Sequence, residues 1–188
     1  MVGLANPGAQ FEGTRHNAGA DVVRLLSQRH GSGDLRPEKG QRAAVEEVRI
    51  GDRRVALAVP STYMNESGQA LRPLLRRFGI EELGHLVVVH DELDLPPGRI
   101  RVKEGGGVAG HRGLESIRQH LHSGDFVRVR VGIGKPPGRQ AGADHVLRRP
   151  AKSERQLIDV SLEQAADAVE LVVTEGVDVA MNRSNGAV

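Results

Sequence analysis

A chain of 188 residues and 20.2 kDa has the length of one ordinary domain, with enough sequence to bury a single sizeable core. Hydrophobic residues make up 38% of it and 24 Gly bring the apolar share to about half, which argues against disorder, while the absence of Cys excludes a disulfide framework, a zinc-thiolate centre and a cysteine nucleophile. Aromatics are only 2%, too few for a fold that stacks bases on an aromatic sheet, and a net charge of +2 does not announce a polyanionic partner. No apolar run approaches a membrane span, and the N-terminus lacks the basic-then-apolar order of a secretory signal, so a cytoplasmic protein is expected.

Apolar spacing predicts a first helix on Ala18, Val22, Leu25 and Leu26, stopped by Gly31. Strands 44–50 and 54–59 flank Gly51-Asp52 as a hairpin. Leu71, Leu74, Leu75 and Phe78 repeat the helical spacing, with Ser67 as the expected cap, Gly79 as the stop and Pro73 expected to bend or interrupt the helix. Leu86 to Val89 is a continuous apolar run, as in a strand covered on both faces. Ile100 and Val102 alternate with Arg101 and Lys103, and Val127, Val129, Val131 and Ile133 alternate with Arg128 and Arg130; both read as half-exposed strands presenting cations. A short helical stripe on Leu114, Ile117 and Leu121 lies between them. Ser153 and Gln156 form a capping-box pair before the last stripe, Leu157 through Val173, which Gly176 ends. The sum is an α/β fold, a single-domain layered structure over 1–188 with a mixed central β-sheet flanked by helices.

Charge is unevenly spread. From Phe126 to Lys152 there are seven basic residues (Arg128, Arg130, Lys135, Arg139, Arg148, Arg149 and Lys152) against one acid, Asp144, a net of +6; from Leu157 to Val179 there are six acids and no Lys or Arg. This pattern fits a surface that receives phosphates, or equally a solvated helix face beside a basic loop.

Four polar, Gly-rich clusters fall at predicted strand ends, where α/β folds place their sites: Gly3 to Gly8 with Thr14 to Asn17, Pro60 to Gly68, His90 to Asp94, and Gly105 to Gly113. Asp91, just after the most apolar strand, is placed to hold an imidazole in one tautomer, and His16 is the natural partner among eight His; otherwise Asp91 caps a turn and His16 sits near a helix start. Gly105-x-Gly107-x-x-Gly110 matches a dinucleotide fingerprint formally, but Asp125 precedes the next strand instead of ending it, and the preceding strand carries Arg101 and Lys103. His120-x-His122 and His90-Asp91 lack a metal-ligand pattern such as HExxH, no G-x-S-x-G or S-x-x-K marks a serine nucleophile, and the Gly-rich run lacks the Lys-Ser/Thr of a P-loop.

Six pieces in order, Val2 to Gly8, Thr14 to Asn17, Pro60-x-Thr-Tyr-Met-Asn-x-Ser-Gly68, His90-Asp-Glu-Leu-Asp-Leu-Pro-Pro-Gly98, Gly105-Gly-Gly-x-x-Gly-His111 and Arg128-x-Arg-x-Gly-Ile-Gly134, with Ala180-Met-Asn-Arg183 at the end, resemble the bacterial peptidyl-tRNA hydrolases over most of the chain. The resemblance implies a monomeric α/β enzyme without metal or cofactor that hydrolyses the ester joining a peptide to the 3′ end of tRNA and so recycles tRNA. It makes His16 the general base acting on water, Asp91 the group that stabilises its basic form, and Asn6 a residue that distinguishes a blocked from a free amine. Asn65 is implied to hydrogen-bond the substrate, Phe11 and Tyr63 to line its groove, and Lys103 and Arg130 to take tRNA phosphates. Neutral His16 implies a rate that rises as pH passes through its titration.

Two departures stand out. Arg112 occupies the place of a family Asn, so a guanidinium with no acceptor replaces an amide; pointing inward it would weaken His16 as a base or pair with Asp91, and pointing outward it would meet phosphate. The first strand is short, with Met1 directly before Val2, which implies lost ladder hydrogen bonds. The competing readings are a catalytically weak RNA-binding protein of the same fold and a nucleotide-dependent oxidoreductase, the latter requiring saturable NAD(P) binding.

Overall fold

The computed structural model describes residues 1–136, 138 and 142–186. In chain order its elements are β1 (Val2–Gly3), α1 (Ala18–His30), β2 (Arg36–Glu38), β3 (Ala43–Ile50), β4 (Arg53–Pro60), α2 (Gly68–Arg77), β5 (Val87–Glu92), β6 (Ile100–Glu104), α3 (Arg112–Leu121), β7 (Val127–Gly132), α4 (Gly142–Val146), α5 (Lys152–Glu175) and α6 (Val177–Asn185). Among the described residues they form one mixed sheet in the order β2-β3-β4-β1-β5-β7-β6. β1 runs parallel to β4 and β5, and β5 parallel to β7, whereas the β2–β3–β4 hairpins and the β6–β7 pair are antiparallel.

Strand alternation divides the core into two layers. Val87, Val89, Val129 and Val131 face α1, α5 and α6, while Val88 and Phe126 face α2 and α3. Leu4, Leu57 and Leu71 are fully buried, each contributing about 1.5–3 kcal/mol relative to an exposed position. β1 is indeed short, but its ladder is extended on both sides, Ala58 N–H donating to the Met1 carbonyl and Leu4 N–H to that of Val89, each at 3.0 Å. The edge strand β6 is protected by Asn185 of α6, whose amide donates to the Val102 carbonyl and accepts from its N–H, both at 2.9 Å.

Several local expectations are corrected. The Ser67 hydroxyl donates back to the Met64 carbonyl and does not cap α2, which runs unbroken through Pro73. α5 begins at Lys152, so Ser153 lies inside its first turn, and Ala151 at the cap position offers no side-chain acceptor. The short β2, which contains Pro37, and the closing helix α6 have no counterpart in the sequence periodicity.

β7 is covered on both faces instead of half-exposed. The Arg128 side chain is buried, donating to the carbonyls of Gly107 at 2.5 Å, Gly106 at 2.6 Å and Gly124 at 3.2 Å, with the Phe126 ring beneath it. The Gly-rich loop folds back over the strand because its carbonyls need these donors. Arg130 is engaged by Glu92 through Nε at 3.0 Å and Nη2 at 2.8 Å, Lys135 by Asp94 at 2.8 Å, and Arg149 by the Glu12 carbonyl at 2.9 Å; Arg139 lies outside the described residues. The acidic face of α5 is also used internally, Glu163, Asp167 and Glu170 converging on Arg29 of α1.

Candidate active site

In a sheet of this kind, ligands bind beyond the carboxyl ends of parallel strands where successive connections leave toward opposite faces. β1 leads to α1 on one face and its neighbour β5 ends at Asp91-Glu92, so Asn6 and Asp91 emerge side by side. α1 starts unusually close to the sheet: a Cβ on Gly19 would lie 2.3 Å from the Val89 carbonyl oxygen and 2.6 Å from the Leu4 nitrogen. That contact brings the 3-10 turn Arg15–Asn17, just ahead of α1, against the end of β5.

The turn is held from both sides. Arg15 is buried, donating from Nε and Nη2 to Glu154 of α5 at 2.6 and 2.5 Å and from Nη1 to the carbonyls of His145 and Arg148 at 3.2 and 3.0 Å. Asn17 exchanges two hydrogen bonds with the Asn6 backbone, accepting at 2.9 Å and donating at 3.0 Å. His16, between them, places Nδ1 2.8 Å from Asp91 Oδ1 and lines a cavity of about 850 Å³. Asn6 Oδ1 accepts from the Met64 N–H at 2.8 Å, which fixes the amide orientation and leaves Nδ2 as a donor; Asn6 also lines the cavity.

Asp91 Oδ1 has a second partner. His111 brings Nε2 to 3.0 Å, while its Nδ1 accepts from the N–H groups of Gly113 at 3.2 Å and Leu114 at 3.3 Å, making this imidazole the N-cap of α3. Burial alone would raise the Asp91 carboxyl, but His16 and His111 outweigh it and hold the group well below the usual carboxylate range. Asp91 is therefore an anion throughout the working range.

His90 lies behind this pair, fully buried, its Nδ1–H donating to the Asp91 carbonyl at 2.7 Å and its Nε2 without a hydrogen-bond partner. Burial in an apolar surrounding pushes the imidazole down to about 3. An unfolded chain protonates this histidine below about 6.5 whereas the folded one resists, so the unfolded state binds more protons and stability falls as pH drops from about 6.5 toward 3. In His90→Asn, whose amide keeps the donor without titrating, the pH dependence of guanidinium unfolding free energy flattens there by up to about 1.4 kcal/mol per pH unit. Identical slopes for parent and variant would remove His90 as the cause.

His16 Nδ1, Asp91 Oδ1 and His111 Nε2 lie within 4.8 Å of one another, a spacing that a metal ion could bridge. The proton positions do not fit one. A metal on His111 Nε2 would move that proton to Nδ1, aiming it at the two N–H groups that Nδ1 now receives.

Of the residues singled out in the sequence, Asn6, His16, Asn65, Asp91 and Arg112 line the cavity together. Arg112 makes no ion pair among the described residues, and the Asp91 oxygen open to it in an inward pose is taken by His16 and His111. Phe11 and Tyr63 stand outside the cavity lining; Tyr63 is 54% exposed and directly precedes Met64 and Asn65, which do line it. Lys103 on β6 and Arg130 on β7 also lie outside it. A second cavity of about 860 Å³, at the opposite end of the sheet near Ala56, Leu75 and Phe78, contains no hydrogen-bonded His–carboxylate pair among the described residues. Sequence reasoning gave no role to Arg15, Asn17, His90 or His111, although all four lie within the clusters it marked.

Known proteins resemble the chain in the same terms. The family model described as peptidyl-tRNA hydrolase matches residues 1–188. A peptidyl-tRNA hydrolase of Cutibacterium acnes is 47% identical over 98% of this chain and 96% of its own length, and one of Mycolicibacterium vanbaalenii is 49% identical over 97% and 94%. The crystal structure of peptidyl-tRNA hydrolase from Acinetobacter baumannii superimposes with a TM-score of 0.92 at 38% identity, covering 98% of this chain and 93% of that one. On these full-length matches, the chain belongs to the peptidyl-tRNA hydrolase family.

Proposed function

We propose that the chain hydrolyses the ester between a peptide and the 3′ end of tRNA, with His16 as the general base. The observation that carries this reading is the 2.8 Å hydrogen bond between His16 Nδ1 and Asp91, which leaves the Nε2 lone pair of a cavity-lining imidazole free to take a proton. Nε2 takes a proton from water, and the oxygen attacks the ester carbonyl to form a tetrahedral intermediate. As that collapses, the bond to the ribose oxygen breaks and the imidazolium returns its proton to the leaving oxygen, giving a free tRNA and a peptide carboxylic acid that ionises. Asp91 stabilises the imidazolium in between, and Asn6 Nδ2 offers a hydrogen bond to the carbonyl side of the substrate.

Asn65 supplies further donor and acceptor capacity at the cavity wall, and we assign Phe11 and Tyr63, outside that lining, to contacts with the peptide or tRNA end. Lys103 and Arg130 meet backbone phosphates, Arg130 by exchanging its Glu92 partner. The reading takes the chain to act as a monomer, and the reaction as written uses no cofactor. No helix among the described residues is long and apolar enough to cross a membrane. The substrate arises on ribosomes, which puts the work in the cytoplasm.

The test is release of blocked amino acid from diacetyl-lysyl-tRNA, with lysyl-tRNA as the unblocked control. Rapid release from the first and persistence of the second is expected; tight binding of both without release would instead make the chain an RNA-binding protein of this fold. Arg112, a permanent cation at the cavity wall, opposes the charge that forms on His16 and has no acceptor for a substrate N–H. Arg112→Asn therefore raises kcat/KM by up to about tenfold, or about 1.4 kcal/mol. A variant no faster than the parent would show that the guanidinium is compensated.

A further inference from the structure

We infer that His111 is a positioning residue that sets how much of the Asp91 charge reaches His16, an inference that rests on His16 being the base. His111 Nδ1 faces two donors, the N–H groups of Gly113 at 3.2 Å and Leu114 at 3.3 Å, so it must carry a lone pair. The single ring proton is thereby forced onto Nε2, which lies 3.0 Å from Asp91 Oδ1 and can only donate to it.

A second proton would have to sit on Nδ1, pointing into two N–H groups and into the positive end of the helix dipole. The other titratable and charged groups around this ring are His16, with ring centroids 5.0 Å apart, His90 at 4.9 Å, and Arg112 on the next residue of α3. None but Asp91 is an anion, so none favours a doubly protonated His111. It is a fixed neutral donor.

Asp91 Oδ1 thus accepts from His16 Nδ1 and His111 Nε2 at once. Charge drawn toward His111 is withdrawn from the imidazolium that forms on His16 during the reaction. The cap on α3 therefore keeps His16 a milder base, neutral over a wider pH range, than a His–Asp pair alone would be. Removing the second donor returns the whole charge to His16.

Two variants separate this role from helix capping. In His111→Asn the short side chain still accepts from Gly113 and Leu114, as Asn does at helix starts, but falls short of Asp91. In His111→Ala both functions go. The pH–rate profile for diacetyl-lysyl-tRNA and the NMR titration of the His16 ring are measured for parent and both variants. In both variants the acidic limb of the profile and the His16 titration move to higher pH, by about one pH unit; only His111→Ala also lowers Tm. An unmoved limb and an unmoved His16 titration in His111→Asn, with slower turnover at every pH, would overturn the assignment and leave His111 a cap alone. A moved His16 titration in a protein that releases nothing from the substrate would keep the coupling and instead refute the hydrolytic reading.

Discussion

Asp91→Asn lowers kcat for ester hydrolysis by on the order of 10²- to 10⁴-fold with the sheet intact. The carboxylate accepts N–H groups from two imidazoles through one oxygen, and it is the only anion in contact with His16 among the described residues. An amide of the same shape, its oxygen in the Oδ1 position, can accept from both but offers no charge to the imidazolium. Turned the other way, it presents its own N–H to His16 Nδ1 and forces the proton onto Nε2, the nitrogen that the proposed mechanism needs free to take a proton from water. The same substitution acts on stability. Asp91 is held below the ordinary carboxylate range, so the parent gains stability above about pH 4, where the unfolded carboxyl ionises, and loses it as pH falls through the lower folded value. Single-turnover release and acid unfolding, measured together, check both effects; an Asn variant within threefold of the parent rate would contradict the first.

Gly19→Ala has the next largest effect, through packing instead of charge. The added methyl would come within 2.3 Å of the Val89 carbonyl oxygen, 2.6 Å of the Leu4 nitrogen and 2.9 Å of the Leu4 oxygen, all of them backbone atoms of sheet and loop that have no rotamer to change. α1 must lift from β1 and β5, at a cost of about 1–3 kcal/mol or more for overpacking. His16 lies three residues ahead of Gly19 and Asp91 two residues beyond Val89, so the same displacement lengthens their hydrogen bond. Gly19→Ala is therefore expected to lower both denaturant midpoint and kcat. Gly84→Ala, where nothing lies within 4 Å of the added carbon, is the control and leaves both near the parent values.

The elements that carry this geometry differed in how legible they were. Amphipathic spacing marked α1, and the uninterrupted run at Val87 to Val89 marked β5, because each is dictated by burial along the element itself. His16 and Asp91 were marked as candidates because each sits at the end of such an element, though spacing left a turn cap and a helix start open as well and only the family resemblance assigned their roles. His111 did not, although it stood inside a recognised cluster. Its role depends on the first turn of α3 ending beside β5, a tertiary contact between residues 20 apart that periodicity does not encode. Alternation misled at β7 for a related reason: Arg128 reads as an exposed cation until the Gly106 and Gly107 carbonyls close over it. The +2 net charge likewise concealed structure, because much of the basic stretch and part of the acidic helix face are spent on internal partners.

The most direct test of the account is release of diacetyl-lysine from its tRNA by the parent and by His16→Ala, followed from pH 5 to pH 9. The parent rate is expected to rise with pH to a plateau. His16→Ala should fall on the order of 10²- to 10⁴-fold below it and lose that rise, while its circular dichroism matches the parent. A His16→Ala variant that turns over at the parent rate with the same pH profile would contradict the account.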